Sequence, residues 1–310
     1  MINDILGIHH ITSIASDPIK NNHFFTKVLG LRRVKKTVNF DKPSVYHLYF
    51  SDPVGTPGTV ITYFPFPSRA RGHRGIGEVA LARFAVLPNS LDFWEDRLTT
   101  HGVSKLKRAK RFSTSCLEFT GPDGENLGIC EQDTVGLPPA DKHIPSEVAI
   151  CGFHSAQLCV DKYSNIGNLL SLMGFVAGPR DGGFQRFQMP SSPPASIIDV
   201  QYMEHGATAQ ESAGSVHHIA FAVEDDAAQT RVRQALIERG HKVTAVKDRS
   251  YFKAIYFRTE DGILFEVATN FPGFATDEPI ETMGNALCLP DQHEGLRETL
   301  EKQLIPLCVE

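Results

Sequence analysis

Two pairs of adjacent histidines stand near the start of short stretches with a strong preference for β-structure. His9 and His10 lie in GIHHITSIA at 7–15, and His217 and His218 lie in SVHHIAFAV at 215–223. Neutral imidazole is among the commonest metal ligands in proteins. Because both pairs hold the same place in two similar segments, they are candidate ligands of one metal ion.

The alternation of side chains along a strand selects one histidine of each pair, since successive residues point to opposite faces. In 217–223, the face shared with His217 carries bulky apolar residues, whereas the face shared with His218 carries only alanines. Small residues leave room for a ligand, so we predict that His218, and His10 in the same register, face a metal site. His9 and His217 are expected to point away from it and to support the ligand strands.

A single carboxylate supplies the third candidate ligand. Glu266 lies in GILFEVA at 262–268, where a charged group is costly unless it is paired or binds a metal. Two imidazoles and one carboxylate form a facial triad with open positions, which is typical of non-haem Fe(II) oxygen chemistry. A lone histidine on a strand is more often a core residue, but two matched pairs with a carboxylate in register favour a metal site. We therefore predict that His10, His218 and Glu266 bind Fe(II), with Mn(II) as the alternative metal.

The elements that must position these residues form an internal repeat. Each His-His segment is a predicted strand, followed by a helix at 17–29 or 225–240 that ends near a glycine, the expected C-terminal cap. Further strands joined by turns follow each helix. Two weaker copies lie between, so the chain is predicted to contain four βαβββ modules. Their predicted limits are 1–68 for module 1, 75–135 for module 2, 147–205 for module 3 and 214–272 for module 4, with a linker at 136–146 and a C-terminal tail with a helix at 273–310.

Alignment of the modules indicates which of them build the site. The position of Glu266 is taken by Thr62, Gly128 and Asp199 in the first three modules, and Ser155 stands at the histidine position of module 3. Ligand-type residues are complete only when modules 1 and 4 are combined, so we predict a metal site between these two modules. Asp199 is either a degenerate ligand position or a hydrogen-bonding group at a strand end.

Composition excludes several classes of function. The 310 residues carry a net charge of −5 and contain a single short basic run at 105–111, which is best interpreted as a solvated strand or loop, so we expect no nucleic-acid partner. No apolar stretch approaches the roughly 20 residues of a spanning helix, so we expect no membrane partner. The six cysteines contain no C-x-x-C pair, and reduced thiols in a cytoplasmic protein are the expectation.

Several further motifs, taken together, resemble a known superfamily. They are HHIT at 9–12, YHLYF at 46–50, GTPGT at 55–59, GFHS at 152–155, HHIAFAV at 217–223, RSYF at 249–252, FE at 265–266 and GFATDE at 273–278. Nearly the whole chain resembles the vicinal oxygen chelate superfamily of glyoxalases, bleomycin-resistance proteins and extradiol dioxygenases, and most closely its hydroquinone ring-cleaving dioxygenases. The resemblance implies an α+β fold in which four βαβββ modules form two cupped mixed β-sheet domains.

The resemblance also implies residues on the substrate side of the site. Tyr256 and Arg249 match residues that lie near the substrate in this family, where a phenol could hydrogen-bond a substrate oxygen and an arginine could stabilise an anion. An aromatic cross-strand pair and a surface arginine are the alternative interpretations. His9 and His217 complete the set of candidate catalytic residues, and His47 and Tyr49 are weaker candidates. Phe184, Phe187 and Phe274 could line an aromatic pocket, although core packing is the commoner role of phenylalanine.

The function implied is an Fe(II)-dependent, extradiol-type dioxygenase that inserts both atoms of O₂ into a hydroquinone or a related dihydroxylated ring. Its partners would be a small aromatic substrate and O₂, and a homo-oligomer is compatible with the sequence. The first alternative is a glyoxalase-type lyase or isomerase, which in relatives tends to use four protein ligands with Zn or Ni. The second is a metal-free small-molecule binding protein of the bleomycin-resistance kind.

Overall fold

The computed structural model describes residues 2–133, 144–190 and 194–307. Most of the linker predicted at 136–146 therefore lies outside the described residues. Within the described parts, the chain forms four successive units that each contain one strand, one helix and three further strands.

The strands of units 1 and 2 are β1 Ile8–Ala15, β2 Arg32–Asn39, β3 Lys42–Ser51, β4 Val60–Pro65, β5 Glu78–Val86, β6 Ser104–Arg111, β7 Thr114–Thr120 and β8 Asn126–Glu131. Those of units 3 and 4 are β9 Gly152–Asp161, β10 Val176–Asp181, β11 Phe184–Gln188, β12 Ile197–Met203, β13 Val216–Val223, β14 Lys247–Asp248, β15 Phe252–Arg258 and β16 Leu264–Pro272. The helices are α1 Pro18–His23, α2 Leu91–Thr100, α3 Ile166–Leu172, α4 Asp226–Glu238, α5 Asp291–Glu294 and α6 Arg297–Gln303.

The helices of units 1 and 4 begin and end as their sequences predict. The Asp17 carboxylate accepts hydrogen bonds from two backbone N–H groups of α1, and Asp225 caps α4 in the same way. A π-helical turn, Phe24–Val28, extends α1 before Gly30, and α4 is followed by Gly240. Both glycines have positive φ, which an L side chain rarely adopts.

The sixteen strands found among the described residues form two eight-stranded sheets. The first sheet has the order β14-β15-β16-β13-β1-β4-β3-β2 and so combines units 4 and 1, and the second has the order β10-β11-β12-β9-β5-β8-β7-β6 and combines units 3 and 2. At the centre of each sheet the first strands of two units pair antiparallel, and each first strand also pairs in parallel with the last strand of its own unit. The predicted α+β class with two cupped mixed sheets is confirmed.

The helices pack on the outer face of each sheet and bury a large apolar core. Trp94 of α2 and Leu236 of α4 are fully buried in this core, together with Phe25 and Phe221. Because the core lies beneath the helices, the inner faces of the sheets are free to carry polar side chains. Within the described residues, no helix is both long and apolar enough to cross a bilayer.

The tail after β16 returns to unit 1. Backbone N–H of Cys288 donates to the carbonyl of Lys36 on the edge strand β2, and the Arg33 side chain donates to the carbonyl of Gly284. The Tyr46 hydroxyl donates to the carbonyl of Ile305 near the end of the described tail. These bonds cover the edge of the first sheet, which reduces its tendency to pair with other chains.

Three local predictions differ from the structure. In unit 4, the first of the three strands predicted after α4 is very short, since it comprises only Lys247–Asp248 after the polar stretch that follows the helix. The tail helix is divided into α5 and α6 at Gly295. The expectation of reduced thiols is wrong for Cys116 and Cys130, whose sulfur atoms are bonded because the two residues are direct cross-strand partners of β7 and β8.

Candidate metal centre

Three buried side chains meet on the inner face of the first sheet. His10 projects from β1, His218 from β13 and Glu266 from β16, and one ligand atom of each lies within 4.8 Å of the other two. His218 Nε2 lies 2.9 Å and His10 Nε2 lies 3.6 Å from Glu266 Oε2, and the two Nε2 atoms are 3.3 Å apart. The structure therefore brings together the three residues that the sequence selected as ligands.

The register of three neighbouring strands produces this cluster. Ala220 of β13 is the cross-strand partner of both His10 and Glu266, and its methyl side chain leaves the space between them open. His218 lies two residues before Ala220 on the same face, opposite Thr12 of β1. A bulkier residue at position 220 would occupy the space where the three side chains converge.

The donor set fits a divalent cation. Neither carboxylate oxygen of Glu266 receives a hydrogen bond of sound geometry, although the side chain is fully buried. An unpaired buried carboxylate costs several kcal/mol unless a cation compensates it. One carboxylate and two imidazole nitrogens that converge on one point are a ligand set suited to non-haem iron, with coordination positions left for other molecules.

A β-bulge alters the position of the first histidine in each pair. The register of β1 with β13 shifts between Ile8 and His10 and again between Thr12 and Ser13, so that His9 and His217 are extra residues. The predicted alternation fails at these two positions because a bulge bends the strand. Instead of pointing away, each ring lies against its neighbour.

The bulges create two imidazole pairs. His9 Nδ1 lies 2.9 Å from His10 Nδ1, and His217 Nδ1 lies 2.7 Å from His218 Nδ1. The His9 ring also hydrogen-bonds the backbone of Thr269. If its remaining nitrogen accepts from His10 Nδ1–H, the lone pair of His10 Nε2 is directed at the centre of the cluster.

Burial sets the protonation of these groups. It lowers the pKa of His218 to about 4 and that of His9 to about 3. Burial alone raises the pKa of the Glu266 carboxyl, but the adjacent His10 and His218 outweigh it and hold the pKa well below the usual range. A neutral His218 and an ionised Glu266 are the forms that bind a cation.

A cavity of about 260 Å³ opens onto the three residues. The candidate catalytic residues Tyr256 and Arg249 lie in its wall, and so does His217. Tyr256 is the cross-strand partner of Glu266, and its hydroxyl lies 3.1 Å from Arg249 Nε. Burial raises the pKa of Tyr256, so its phenol keeps its proton near neutral pH.

The mouth of the cavity has features that the sequence did not indicate. The β2–β3 turn at 39–42 reaches over it, and the Arg249 guanidinium lies 5.1 Å from the ring centre of Phe40. Arg249 is also 3.9 Å from the Asp41 carboxylate. Aromatic rings complete the wall, contributed by Phe40, Phe64, Phe66 and Phe252.

The remaining aromatic candidates lie outside this wall. Phe274 packs behind it, against Tyr49 and Tyr251. Phe184 and Phe187 belong to β11 in the other sheet. The weaker candidates His47 and Tyr49 do line the cavity.

The second sheet carries a different cluster at the corresponding positions. Asp199 occupies the register of Glu266, but it accepts two hydrogen bonds from Arg186 at 2.8 and 2.9 Å and lies 3.7 Å from Arg83. Ser155 and Leu81 hold the positions of the two histidine ligands. This cup is therefore filled by buried ion pairs, and Asp199 is a structural partner of arginine.

A further group of potential ligands in the tail already has a cation. Asp277, Glu278 and Cys288 are close enough to hold a metal, but Lys35 Nζ lies 2.5 Å from the first carboxylate and 2.6 Å from the second. Lys35 is fully buried. The cluster anchors the tail to β2 by a buried ion pair.

Comparison with known proteins gives a consistent result. Residues 7–129 match the model of the glyoxalase/bleomycin resistance protein/dioxygenase superfamily. MhqO of Bacillus subtilis (strain 168), provisionally named a ring-cleaving dioxygenase, is 40% identical over 99% of this chain and 98% of its own length. The chlorohydroquinone/hydroquinone 1,2-dioxygenase of Sphingobium indicum is 33% identical over 95% of this chain and 94% of its own. A crystal structure from B. subtilis, provisionally described as a dioxygenase, superposes with a TM-score of 0.94 at 39% identity and 99% coverage of both chains.

Proposed function

This chain belongs to the glyoxalase/bleomycin resistance protein/dioxygenase superfamily, and we propose that it is an Fe(II)-dependent ring-cleaving dioxygenase of the extradiol type. The proposal is supported by relatives that align over nearly their whole length and are named as ring-cleaving or hydroquinone dioxygenases. The proposed metal ligands are His10, His218 and Glu266. The proposed substrate is a hydroquinone or a related dihydroxylated ring.

One observation carries the proposal. The Glu266 carboxylate is fully buried, has no adequate hydrogen-bond donor, and faces two imidazole nitrogens at the inner end of a cavity. A structural ion pair would satisfy the carboxylate, as Arg186 satisfies Asp199 in the second sheet. The unsatisfied Glu266 carboxylate beside two imidazoles supports a site that binds a metal ion.

The cavity supports a single-ring aromatic substrate. Its volume of about 260 Å³ and its phenylalanine walls suit one flat ring, and polar groups at the metal end and from Tyr256 and Arg249 could orient the oxygens of that ring. Hydroquinone is preferred to catechol because a relative that aligns over nearly its whole length is named for hydroquinone and chlorohydroquinone.

The residues of this chain would divide the work of catalysis. A bound Fe(II) would supply Lewis acidity and the transfer of electron density between ring and O₂. Tyr256 keeps its proton and can donate a hydrogen bond to a substrate oxygen, while Arg249 places a fixed positive charge where anionic character develops. His9 and His217 would hold His10 and His218 in the tautomer that binds metal. The phenylalanines limit access of water to the ring.

The two alternative functions lack comparable support. A glyoxalase-type site with four protein ligands would need one more donor, and the cluster found among the described residues contains three. A metal-free binding protein would leave the Glu266 carboxylate buried without compensation.

The proposal can be tested by measuring oxygen uptake by the anaerobically Fe(II)-loaded protein, with a panel of hydroquinones and catechols as substrates. We expect one bound iron per chain and uptake of one O₂ per ring cleaved, with hydroquinones preferred. Protein that binds iron but consumes no O₂ with any member of the panel would contradict the dioxygenase function. Zn(II)- or Ni(II)-dependent isomerase activity without oxygen uptake would favour the glyoxalase alternative.

A further inference from the structure

A second cavity, of about 400 Å³, lies where connecting segments of units 1, 2 and 4 meet. Its wall is formed by the segment 71–74 between units 1 and 2, by 101–105 at the start of β6, by the β7–β8 turn at 120–124, and by 213–215 before β13. We call it the basic cavity. It shares no wall residue with the cavity at the metal centre, and the proposed dioxygenase function does not use it.

The wall of the basic cavity carries three permanent cations and one carboxylate. The cations belong to Arg71, Arg74 and Lys105, and the carboxylate belongs to Asp123. Asp123 is buried, and Ser16 donates to one of its oxygens from the backbone N–H and to the other from the hydroxyl. These hydrogen bonds compensate part of the carboxylate charge, so the cavity is positively charged in a chain whose net charge is −5.

Arg74 is committed to the structure of the wall. Its Nη1 lies 3.0 Å from the Glu78 carboxylate, and its Nη2 donates to the carbonyl of Gly214 at 2.9 Å and to that of Gly124 at 3.3 Å. These bonds tie two of the wall segments together. The cavity therefore has a wall that the chain itself holds in place.

Arg71 and Lys105 have no such commitment. In the part of the chain that the structure describes, neither cation lies within 4.0 Å of a carboxylate, and the Arg71 guanidinium makes a single long hydrogen bond, 3.5 Å from Nη2 to the carbonyl of Pro122. The guanidinium packs against Gly124, where a Cβ would lie 3.4 Å from its central carbon. Most of the Arg71 fork is thus available to bond two oxygens of one anion.

The backbone at Lys105 has a conformation that residues other than glycine rarely adopt. Lys105 is the first residue of the basic run at 105–111, and its φ is +57°. The register of β6 with β7 shifts between Ser104 and Lys107, which marks a bulge that redirects the side chain. Strained residues of this kind cluster at ligand sites, and this one lies in the wall of the basic cavity.

We propose that the basic cavity binds the phosphoryl group of a small phosphorylated molecule, with Arg71 and Lys105 as its two cationic contacts. A phosphoryl group carries close to two negative charges and three acceptor oxygens, which matches two unpaired cations better than a single carboxylate does. The hydroxyls of Ser104 and Thr120 lie in the same wall and can donate further hydrogen bonds. The volume of about 400 Å³ leaves room for an organic remainder beyond the phosphoryl group.

Isothermal titration calorimetry of the full chain with inorganic phosphate, ribose 5-phosphate and succinate tests this site. We expect both phosphates to bind once per chain, ribose 5-phosphate at least as tightly as inorganic phosphate, and succinate at least 10-fold more weakly. Arg71→Met and Lys105→Met should each weaken phosphate binding about 10-fold or more. Arg69→Met and Lys107→Met are the matched controls, because each removes one exposed cation of the same kind from outside the wall, and both should bind as the unmodified protein does.

Glu266→Gln should also bind phosphate normally, which separates this site from the metal centre and makes the result independent of the proposed function. The proposal would be overturned by the absence of phosphate binding, by exclusion of ribose 5-phosphate, by succinate that binds as tightly as the phosphates, or by equal losses in the control variants.

Lys105→Gly separates binding from folding. Glycine adopts a φ of +57° without strain, so this variant should unfold in urea at no lower concentration than the unmodified protein. It should nevertheless lose affinity for phosphate to the same extent as Lys105→Met. A Lys105→Gly variant that binds phosphate as the unmodified protein does would show that the lysine is not a contact of the anion.

Discussion

At the scale of the residue, Glu266 and Asp199 show how the same register position serves two purposes. Both carboxylates are fully buried on an inner sheet face, and each lies on the last strand of its unit. Asp199 is paired with Arg186 and Arg83, whereas Glu266 faces two imidazoles and has no adequate hydrogen bond. Because the chain itself compensates the charge of Asp199, that residue is structural, whereas the uncompensated Glu266 is the proposed metal ligand.

This contrast provides a matched pair of substitutions. Glu266→Gln should lower iron affinity by roughly 100-fold or more, since loss of an outer-shell partner already costs about 10- to 100-fold. Asp199→Asn should leave iron content unchanged but should destabilise the fold by about 3–5 kcal/mol, because it leaves the buried Arg186 without its carboxylate partner. Metal analysis and denaturant unfolding measure the two effects. Equal iron loss in both variants would contradict the distinction.

Tyr256 gives a second prediction at this scale. Tyr256→Phe removes the hydroxyl but keeps the ring, so we expect kcat to fall by about 10- to 100-fold while iron content and fold are unchanged. Tyr251→Phe is the matched control, because the Tyr251 hydroxyl donates to Asp277 in the tail. Steady-state oxygen uptake checks this, and a Tyr256→Phe enzyme with unchanged kcat would remove Tyr256 from the mechanism.

The sequence was sufficient to select the second histidine of each pair, because face alternation and the alanines at 220 and 222 made one face roomy. It was not sufficient to place His9 and His217. A bulge depends on how two strands pair, and the partner of β1 is β13, some 200 residues later in the chain. The hydrogen bonds between His47 and Thr62 and between Thr62 and Thr12 were missed for the same reason, since these residues become neighbours only through strand register.

At the scale of the element, the tail is held to the first sheet by Lys35 of β2. Its amine is fully buried between Asp277 and Glu278, and the same segment carries Phe274 against Tyr49 behind the cavity wall. The GFATDE motif at 273–278 therefore has a structural basis. This anchor could not be predicted from the sequence, because a lysine in an alternating strand is ordinarily expected to face solvent.

Lys35→Met should destabilise the protein by about 3–5 kcal/mol, because it leaves two carboxylates without their cation. Lys36→Met on the same strand should cost less than about 1 kcal/mol, since Lys36 is only half-buried. Urea unfolding followed by circular dichroism compares the two variants. Similar losses in both would show that the ion pair does not anchor the tail.

At the scale of the whole molecule, the four repeated units could be predicted because helix caps, turn glycines and strand patterns recur in the sequence. Unit 1 shares a sheet with unit 4, and unit 2 shares a sheet with unit 3. This arrangement follows from strand pairing, and in the sequence it was indicated only by the incomplete ligand sets of units 2 and 3. The bonded pair Cys116 and Cys130 was missed because only strand register places the two residues opposite each other.

Buried neutral histidines make the stability of the metal-free protein depend on pH. Burial lowers the pKa of His9 and His154 to about 3 and that of His218 to about 4, whereas an unfolded histidine titrates near 6.5. Between about pH 4 and 6.5 the unfolded chain binds more protons, so the free energy of unfolding rises with pH and levels off above that window. Glu125 acts in the opposite sense, because burial raises the pKa of its carboxyl to about 7, but it is one group against three.

We expect the melting temperature of the metal-free protein to rise from pH 4.5 to 6.5. His154→Gln lies in the second sheet, away from the metal centre. This variant should make the accompanying rise in the free energy of unfolding shallower by up to about 1.4 kcal/mol per pH unit, which is the contribution of one proton. Glu125→Gln should make it steeper. Calorimetry at several pH values measures these slopes, and a flat profile in the unmodified protein would contradict the buried neutral histidines.

The most direct test of the metal centre is anomalous diffraction at the iron edge from crystals of the anaerobically Fe(II)-loaded protein. The account predicts one strong anomalous peak per chain, within ligand distance of His10 Nε2, His218 Nε2 and the Glu266 carboxylate, with the side facing the 260 Å³ cavity free of protein ligands. The peak should be absent from crystals of the Glu266→Gln variant treated in the same way. An iron-loaded crystal with no peak between these three residues, or with its peak at Asp277, Glu278 and Cys288, would contradict it.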